Sequence, residues 1–405
     1  MIIRTKFVLF LALAVLSCAK DDPTIPDIDT PPINDDPELT AIESTFGGKI
    51  DLDNLYNYAE QAVPDYITKD NTRGNRISDL EATLGRVLFY DKKLSLTNTV
   101  ACASCHQQPL AFGDNVALSR GINGNTGRHS MRLVNARFSA EDRFFWDERA
   151  NTLEEQTTQP IQDHIEMGYS GENGEPGIEQ LLAKLKAEAY YQELMMAVYG
   201  DQNLTEQRMQ QALAQFIRSI QSFDSKYDEG RASVADDQAA FSNFTAEENR
   251  GKTLFLAPPG MGGPIGDGMM NGGLGCNACH SAPEFDIDPR SRNNGVITSA
   301  SNPAMLDLNN TRSPSLRDLF NPMGELNGPM MHNGAFENLN EVLDHYTNIP
   351  NNNNNNNNNN LDPRLGRGPG QRQNLSNDDR NALIAFLQTL SGQDMYTNEK
   401  WSDPF

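Results

Sequence analysis

Two copies of Cys-x-x-Cys-His are the residues most able to do chemistry: Cys102-Ala103-Ser104-Cys105-His106 and Cys276-Asn277-Ala278-Cys279-His280. At this spacing two thiols can add to the two vinyl groups of one haem, and the adjacent histidine can take the iron from the proximal side. A zinc site built from both cysteine pairs is the main alternative. The pairs stand far apart in the chain, and each has its own histidine. A thioredoxin-like redox pair is the other alternative, but no βαβ pattern surrounds either motif. Two covalently bound c-type haems are therefore expected, with Cys102, Cys105, Cys276 and Cys279 as attachment points and His106 and His280 as iron ligands.

Each motif sits inside a longer repeat. Gly85-Arg86-Val87-Leu88-Phe89-Tyr90 recurs as Gly251-Lys252-Thr253-Leu254-Phe255-Leu256 ahead of the second motif. Ser130, Leu133 and Asn135 recur as Ser313, Leu316 and Asp318, and Trp146, Leu153 and Glu155 have the spacing of His332, Leu339 and Glu341. The second copy carries a Gly-rich insert over 258–275. This order predicts an N-terminal haem domain over 46–240 and a C-terminal one over 241–405. Residues 178–198 and 206–223 carry apolar side chains at three- and four-residue spacing, as helices do. Thr245-x-x-Glu248 reads as a capping box. Ser376-x-x-Asp379 opens a last helix over about 376–391. No sustained period-two run occurs. The expected fold is all-α, two cytochrome c-like domains related by an internal repeat, with few short strands. The asparagines 351–360 read as a surface loop.

Composition sets the class. Apolar residues make up 38% of the 405, as in globular proteins. Acidic residues number 55 against 33 basic, a formal net charge of −22, which excludes a nucleic-acid-binding surface and favours basic protein partners. Arg4 and Lys6 precede an apolar run from Phe7 to Leu16, too short to span a bilayer and suited to a signal peptide over 1–17. Val15-Leu16-Ser17-Cys18 resembles a bacterial lipobox, which makes Cys18 the lipidated first residue of the mature chain. Residues 18–45, rich in Asp and Pro, read as a tether. Lys20-Asp21-Asp22 resembles a surface-export signal of some Gram-negative lipoproteins. The expectation is an exported periplasmic or outer-membrane-anchored lipoprotein, exposed at the surface where that signal operates, whose membrane contact is the lipid alone.

Several segments resemble the bacterial di-haem cytochrome c peroxidases, a family that includes the enzyme maturing the tryptophan-derived cofactor of methylamine dehydrogenase. They are Phe145-Trp146-Asp147-Glu148-Arg149, Leu153-Glu154-Glu155-Gln156, Pro160-Ile161, Glu166-Met167, Pro314-Ser315-Leu316-Arg317 and Met331-His332-Asn333-Gly334. The resemblance implies that the N-terminal haem is the peroxide site, with Gln156 and Glu166 on its distal face, and that Trp146 relays electrons between the haems. It implies that electrons come in at the C-terminal haem, whose sixth ligand falls at Tyr346. The peroxidase branch has methionine there and the cofactor-maturing branch has tyrosine; Met331 and His345 are rival ligands. Peroxidases also carry a histidine, in the loop before Arg128, that caps the oxidised haem. Here that loop reads Ser119-Arg120-Gly121-Ile122-Asn123-Gly124, so the peroxide site should be open in the oxidised protein. Asn327 and Pro329 match positions whose carbonyls complete an interdomain calcium site, but His129 stands where the family places a calcium-binding asparagine. His164 reads as a surface histidine.

The implied activity is reduction of hydrogen peroxide to water with electrons from a small cytochrome c or a cupredoxin. One alternative is an oxidase that modifies a partner protein through a two-haem high-valent state, which Tyr346 favours. The other is a plain di-haem electron carrier, which Gln156, Glu166 and the missing loop histidine disfavour. A homodimer is a further expectation.

Overall fold

The computed structural model describes residues 40–139, 143–258, 273–287, 291–349, 358–365, 371–372 and 375–405. The apolar N-terminal run, Cys18, most of the tether and nearly all of the Gly-rich insert lie outside them. The described residues belong to one compact unit, Leu39–Phe405.

Two close helix crossings organise this unit. Helix Asp79–Tyr90 opens on Ser78, whose side chain accepts the Glu81 N–H, and packs on helix Glu206–Ser219. Where they meet, a Cβ on Gly85 would collide with the Ala212 carbonyl. Helix Ala246–Leu256 opens on the Thr245/Glu248 capping box and packs on helix Asn377–Gln388. There a Cβ on Gly251 would collide with the Ala382 carbonyl. Glycine at both points lets the backbones approach more closely than any other residue permits. Around the first crossing lies a core that includes Leu84, Leu88, Phe89, Leu213 and Phe216. The second core gathers Tyr227, Phe255, Phe285, Leu383 and Phe386. Full burial of one such side chain stabilises by about 1.5–3 kcal/mol. The final segment joins the first core, where Trp401 is 1% exposed and donates Nε1–H to Ser219 Oγ at 3.2 Å.

Strands are few and two residues long among the described residues: His280–Ser281 pairs with Asp286–Ile287, and Asn348–Ile349 with Gln371–Arg372. No helix among them is long and apolar enough to cross a membrane. The mostly helical reading thus holds, while several element boundaries differ. The helix expected over 178–198 is two, Ile178–Lys186 and Ala189–Tyr199. An extended Glu188 between them allows both Tyr190 and Tyr191 to donate to Asp91 Oδ2, at 2.8 and 2.9 Å. The helix expected to reach 223 stops at Ser219. Beyond it the Ile220 carbonyl accepts Asn135 N–H at 2.9 Å, and Ser222 N–H donates to Asn135 Oδ1 at 2.9 Å. Of the asparagine run expected as a surface loop, 351–357 lie outside the described residues, and its end is tied inward. Asn358 is 3% exposed and donates to Asn293 Oδ1 at 2.7 Å, and Asn360 donates to the Leu308 carbonyl at 3.0 Å. An amide side chain both donates and accepts, so it can fill such polar sites as a backbone group would.

Candidate active site

His106 follows the single helical turn Cys102–Cys105. Its Nδ1 donates to the Phe112 carbonyl at 3.0 Å. Ala111 and Phe112 both take φ of 57°, which turns that carbonyl back toward the ring. His280 repeats the arrangement, with Nδ1 donating to the Pro314 carbonyl at 3.0 Å. Burial pushes both imidazoles below their ordinary pKa, His280 to about 4. A neutral imidazole that gives its Nδ1 proton to a carbonyl keeps the Nε2 lone pair for a metal. None of the four motif cysteines is in a disulfide. Burial pushes Cys102 and Cys276 up to about 12 and Cys105 to about 11, so they stand as protonated thiols near neutral pH.

A cavity of about 510 Å³ opens beside the first motif. Its lining brings together Cys102, Cys105, His106, Trp146, Gln156 and Glu166. Arg312, Pro314 and Ser315 close it from the second half of the chain. Such a volume suits a cofactor-sized ligand. Gln156 stands on helix Leu153–Thr158, which Thr152 caps by accepting Glu155 N–H at 3.0 Å. Glu166 is raised to about 7, first by burial and then by Asp163, with Arg149 opposing. Its carboxyl therefore exchanges a proton readily near neutral pH.

Trp146 is 8% exposed and donates Nε1–H to the His129 carbonyl at 2.7 Å. Its ring meets the His332 ring edge-on, with centroids 6.3 Å apart. Its carbonyl accepts Arg312 N–H at 2.7 Å. The tryptophan is thus a tie between the halves as well as a wall of the cavity.

The three rival ligands near the second motif meet at Asn294. His345 Nε2 donates to the Asn294 carbonyl at 3.0 Å. The Asn294 side-chain amide donates to Met331 Sδ at 3.5 Å, and the same residue lowers the pKa of the Tyr346 phenol. Burial raises the Tyr346 phenol, and the nearby Cys279 and Cys276 raise it further. Nothing in the spacing pointed to Asn294. Arg132 was also missed, although it falls between two repeat landmarks, Ser130 and Leu133. Its guanidinium is buried against the cavity, Nη2 donates to the Ser315 carbonyl at 3.0 Å, and burial lowers its pKa.

The remaining candidates are dispersed. Asn327 donates its amide to the Asp318 carbonyl at 2.9 Å and to the Tyr396 oxygen at 2.8 Å. His129 is 7% exposed and gives Nδ1–H to the Val116 carbonyl at 3.0 Å. Among the described residues no three His, Cys, Asp or Glu side chains converge on one metal position. A calcium ion at Asn327 and Pro329 would rest on carbonyl oxygens and water. His164 stands at the surface, paired with Glu175 at 2.7 Å.

The family model described as di-haem cytochrome c peroxidase matches residues 79–236. The methylamine utilization protein MauG of Methylophilus methylotrophus is 31% identical over 320 residues, which cover 77% of this chain and 82% of that one. The chain belongs to the di-haem cytochrome c peroxidase family. Another member, the cytochrome c551 peroxidase of Nitrosomonas europaea, is 26% identical over 323 residues, 77% of this chain and 80% of that one. Among solved structures, a MauG-like protein associated with microbial copper homeostasis aligns with TM-score 0.66 at 25% identity, covering 86% of this chain and 99% of that one. A variant of the diheme peroxidase BthA from Burkholderia thailandensis shares the fold, with TM-score 0.58, 20% identity and coverage of 85% and 93%.

Membership in the di-haem peroxidase family implies two haems and peroxidase-type redox chemistry. The residues fit that cofactor. Each motif offers a pair of thiols outside any disulfide and a neutral histidine anchored through Nδ1, and the first opens on a cavity large enough to receive a group.

Proposed function

We propose that this chain is a di-haem peroxidase that reduces hydrogen peroxide to water with electrons from a small cytochrome c or a cupredoxin. One observation carries the reading: a single cavity is lined by His106, Gln156 and Glu166, in a chain of the di-haem peroxidase family. The reading places one c-type haem on Cys102, Cys105 and His106 and the other on Cys276, Cys279 and His280. When bound, these groups supply the iron that takes up peroxide and the route for its two electrons.

The chain's own residues do the rest. Glu166, with a pKa near 7, accepts a proton from one peroxide oxygen and returns it to the departing oxygen. Gln156 orients the peroxide through its amide, which both donates and accepts. Trp146, held between the His129 carbonyl and the His332 ring, relays electrons between the halves. Two electrons and two protons convert one peroxide into two waters, so no further co-reactant is required. Denatured protein should retain two haems per chain in the pyridine haemochrome assay. One haem, or haem extracted by acid acetone, would contradict covalent attachment at both motifs.

Tyr346 is proposed as the sixth ligand of the second haem. His345 gives its Nε2–H to the Asn294 carbonyl at 3.0 Å, which disfavours that rival. Tyr346→Phe should convert that haem from low spin to high spin, seen by electron paramagnetic resonance, and leave the first haem's signal in place. An unchanged low-spin signal would return the assignment to Met331 or His345. Tyrosine at this position also favours the second reading, oxidation of a partner protein, since an anionic phenolate would stabilise oxidised iron.

The domain division at 240/241 and the internal repeat are part of the same proposal. The matched glycine crossings, Gly85 on Ala212 and Gly251 on Ala382, support it. So are export through residues 1–17 and lipidation at Cys18. A Cys18→Ser variant should leave the membrane fraction; unchanged fractionation would end the lipid-anchor reading.

A further inference from the structure

The loop from Ser119 to Thr126 is a tight hairpin. Thr126 N–H donates to the Ser119 carbonyl at 2.9 Å and Gly121 N–H to the Gly124 carbonyl at 2.8 Å. Its base is anchored beside the first motif: Ser119 Oγ donates to Asp114 and lies 2.7 Å from Ser130 Oγ, and Ser130 lines the same cavity as Cys105. Its tip grips the segment that carries Glu166. Ile122 N–H donates to the Glu166 carbonyl at 3.0 Å and Asn123 N–H to the Ile165 carbonyl at 3.1 Å. The Asn123 side-chain amide donates to the His164 carbonyl at 2.8 Å. Gly121 is pressed so closely on this segment that a Cβ would collide with the Ile165 carbonyl and stand 2.7 Å from Glu166 Cα. From the other side, Asp163 Oδ1 accepts the Glu166 N–H at 3.0 Å. Both backbone polar groups of Glu166 are thereby committed, and its carboxyl projects from a fixed base.

We infer that the 119–126 hairpin is a brace that spans from Asp114 and Ser130, beside the first motif, to the backbone of Glu166, and that Gly121 and Asn123 are positioning residues for the peroxide chemistry. The inference rests on the acid–base role proposed for Glu166. A carboxyl must stand within hydrogen-bond reach of the proton it moves, and a displacement of about 1 Å can cost about 10²-fold in rate. The brace achieves that placement through backbone contacts that only glycine at position 121 allows.

The test is a double-mutant cycle on the haem-loaded protein. Gly121→Ala must push the 165–166 backbone aside, so peroxide turnover should fall by about 10²-fold. Haem content and the resting optical spectrum should stay unchanged, and the acid limb of the pH–rate profile should shift. In a Glu166→Gln background the same substitution should cost nothing further, because the displaced group no longer acts. Asn123→Ala, at an exposed side chain, guards against misfolding; it should give a smaller loss that also vanishes in the Glu166→Gln background. Losses that multiply independently in the double variants would make the hairpin mere scaffold and overturn the inference. If Glu166→Gln is slow while both hairpin variants turn over normally, the brace alone fails. If Glu166→Gln itself turns over normally, the role of Glu166 fails and the brace with it.

Discussion

Glu166→Gln should lower peroxide turnover by about 10²–10⁴-fold, the usual contribution of a positioned acid–base group. Glutamine keeps the size and polarity of the side chain but cannot accept the proton. The wild-type carboxyl, raised to about 7 mainly by burial, is ionised above that pH and protonated below it. Proton acceptance needs the ionised form, so kcat/KM should rise with pH through about 7 and level off above it. Glu166→Gln should lose that inflection as well as the rate. Both haems should remain attached, because the substitution leaves Cys102, Cys105 and His106 untouched. Turnover within a few-fold of wild type, with the inflection retained, would remove Glu166 from the chemistry.

The largest stability effect is expected at Arg317, which is fully buried. Its Nη1 and Nη2 donate to the two Asp228 carboxylate oxygens, each at 2.9 Å, and Nη2 also donates to the Pro283 carbonyl at 2.9 Å. The rings of Phe223, Tyr227 and Phe285 surround the guanidinium at 5.1, 5.4 and 5.7 Å. Burial disfavours its charge, but Asp228 outweighs that effect and raises its pKa. Arg317→Met would leave the buried Asp228 carboxylate without its cation, with only the Tyr66 hydroxyl and the Ser225 N–H and hydroxyl still donating to it. Removing one partner of a buried pair costs about 3–5 kcal/mol. Denaturant unfolding of the haem-loaded protein should show a loss of that size. Adding Asp228→Leu should restore much of it, since the isolated charge is what destabilises. A loss below about 1 kcal/mol for Arg317→Met would mean that water or another cation reaches Asp228.

The candidate motifs and helix starts were legible in the sequence because their parts are local. Haem attachment needs two thiols and a histidine within five residues, and a capping box needs two polar residues three apart. Thr245 with Glu248, and Ser376 with Asp379, accordingly mark true helix starts. What escaped the sequence depends on partners distant in the chain. The break before Ala189 serves Asp91, and the early stop at Ser219 serves Asn135. Asn358 and Asn360 look like any asparagine in the run until Asn293 and the Leu308 carbonyl are placed beside them. Asn294 likewise becomes notable only where His345, Met331 and Tyr346 converge on it.

The role of the hairpin was half legible. Its lack of histidine could be read from Ser119 to Gly124, and an open peroxide site follows from that reading. Its grip on Glu166 depends on a close backbone approach at Gly121 that no local pattern encodes.

The central claim is that the oxidised protein is a peroxidase whose site is open at rest. Stopped-flow mixing of the fully ferric protein with hydrogen peroxide, followed by a reduced small cytochrome c, tests it most directly. The account predicts an immediate change in the haem spectrum without prior reduction, then oxidation of two equivalents of cytochrome for each peroxide consumed. A ferric protein that is spectrally inert to peroxide until it has received an electron would contradict the open site. A protein that oxidises no cytochrome under either condition would contradict the peroxidase reading itself.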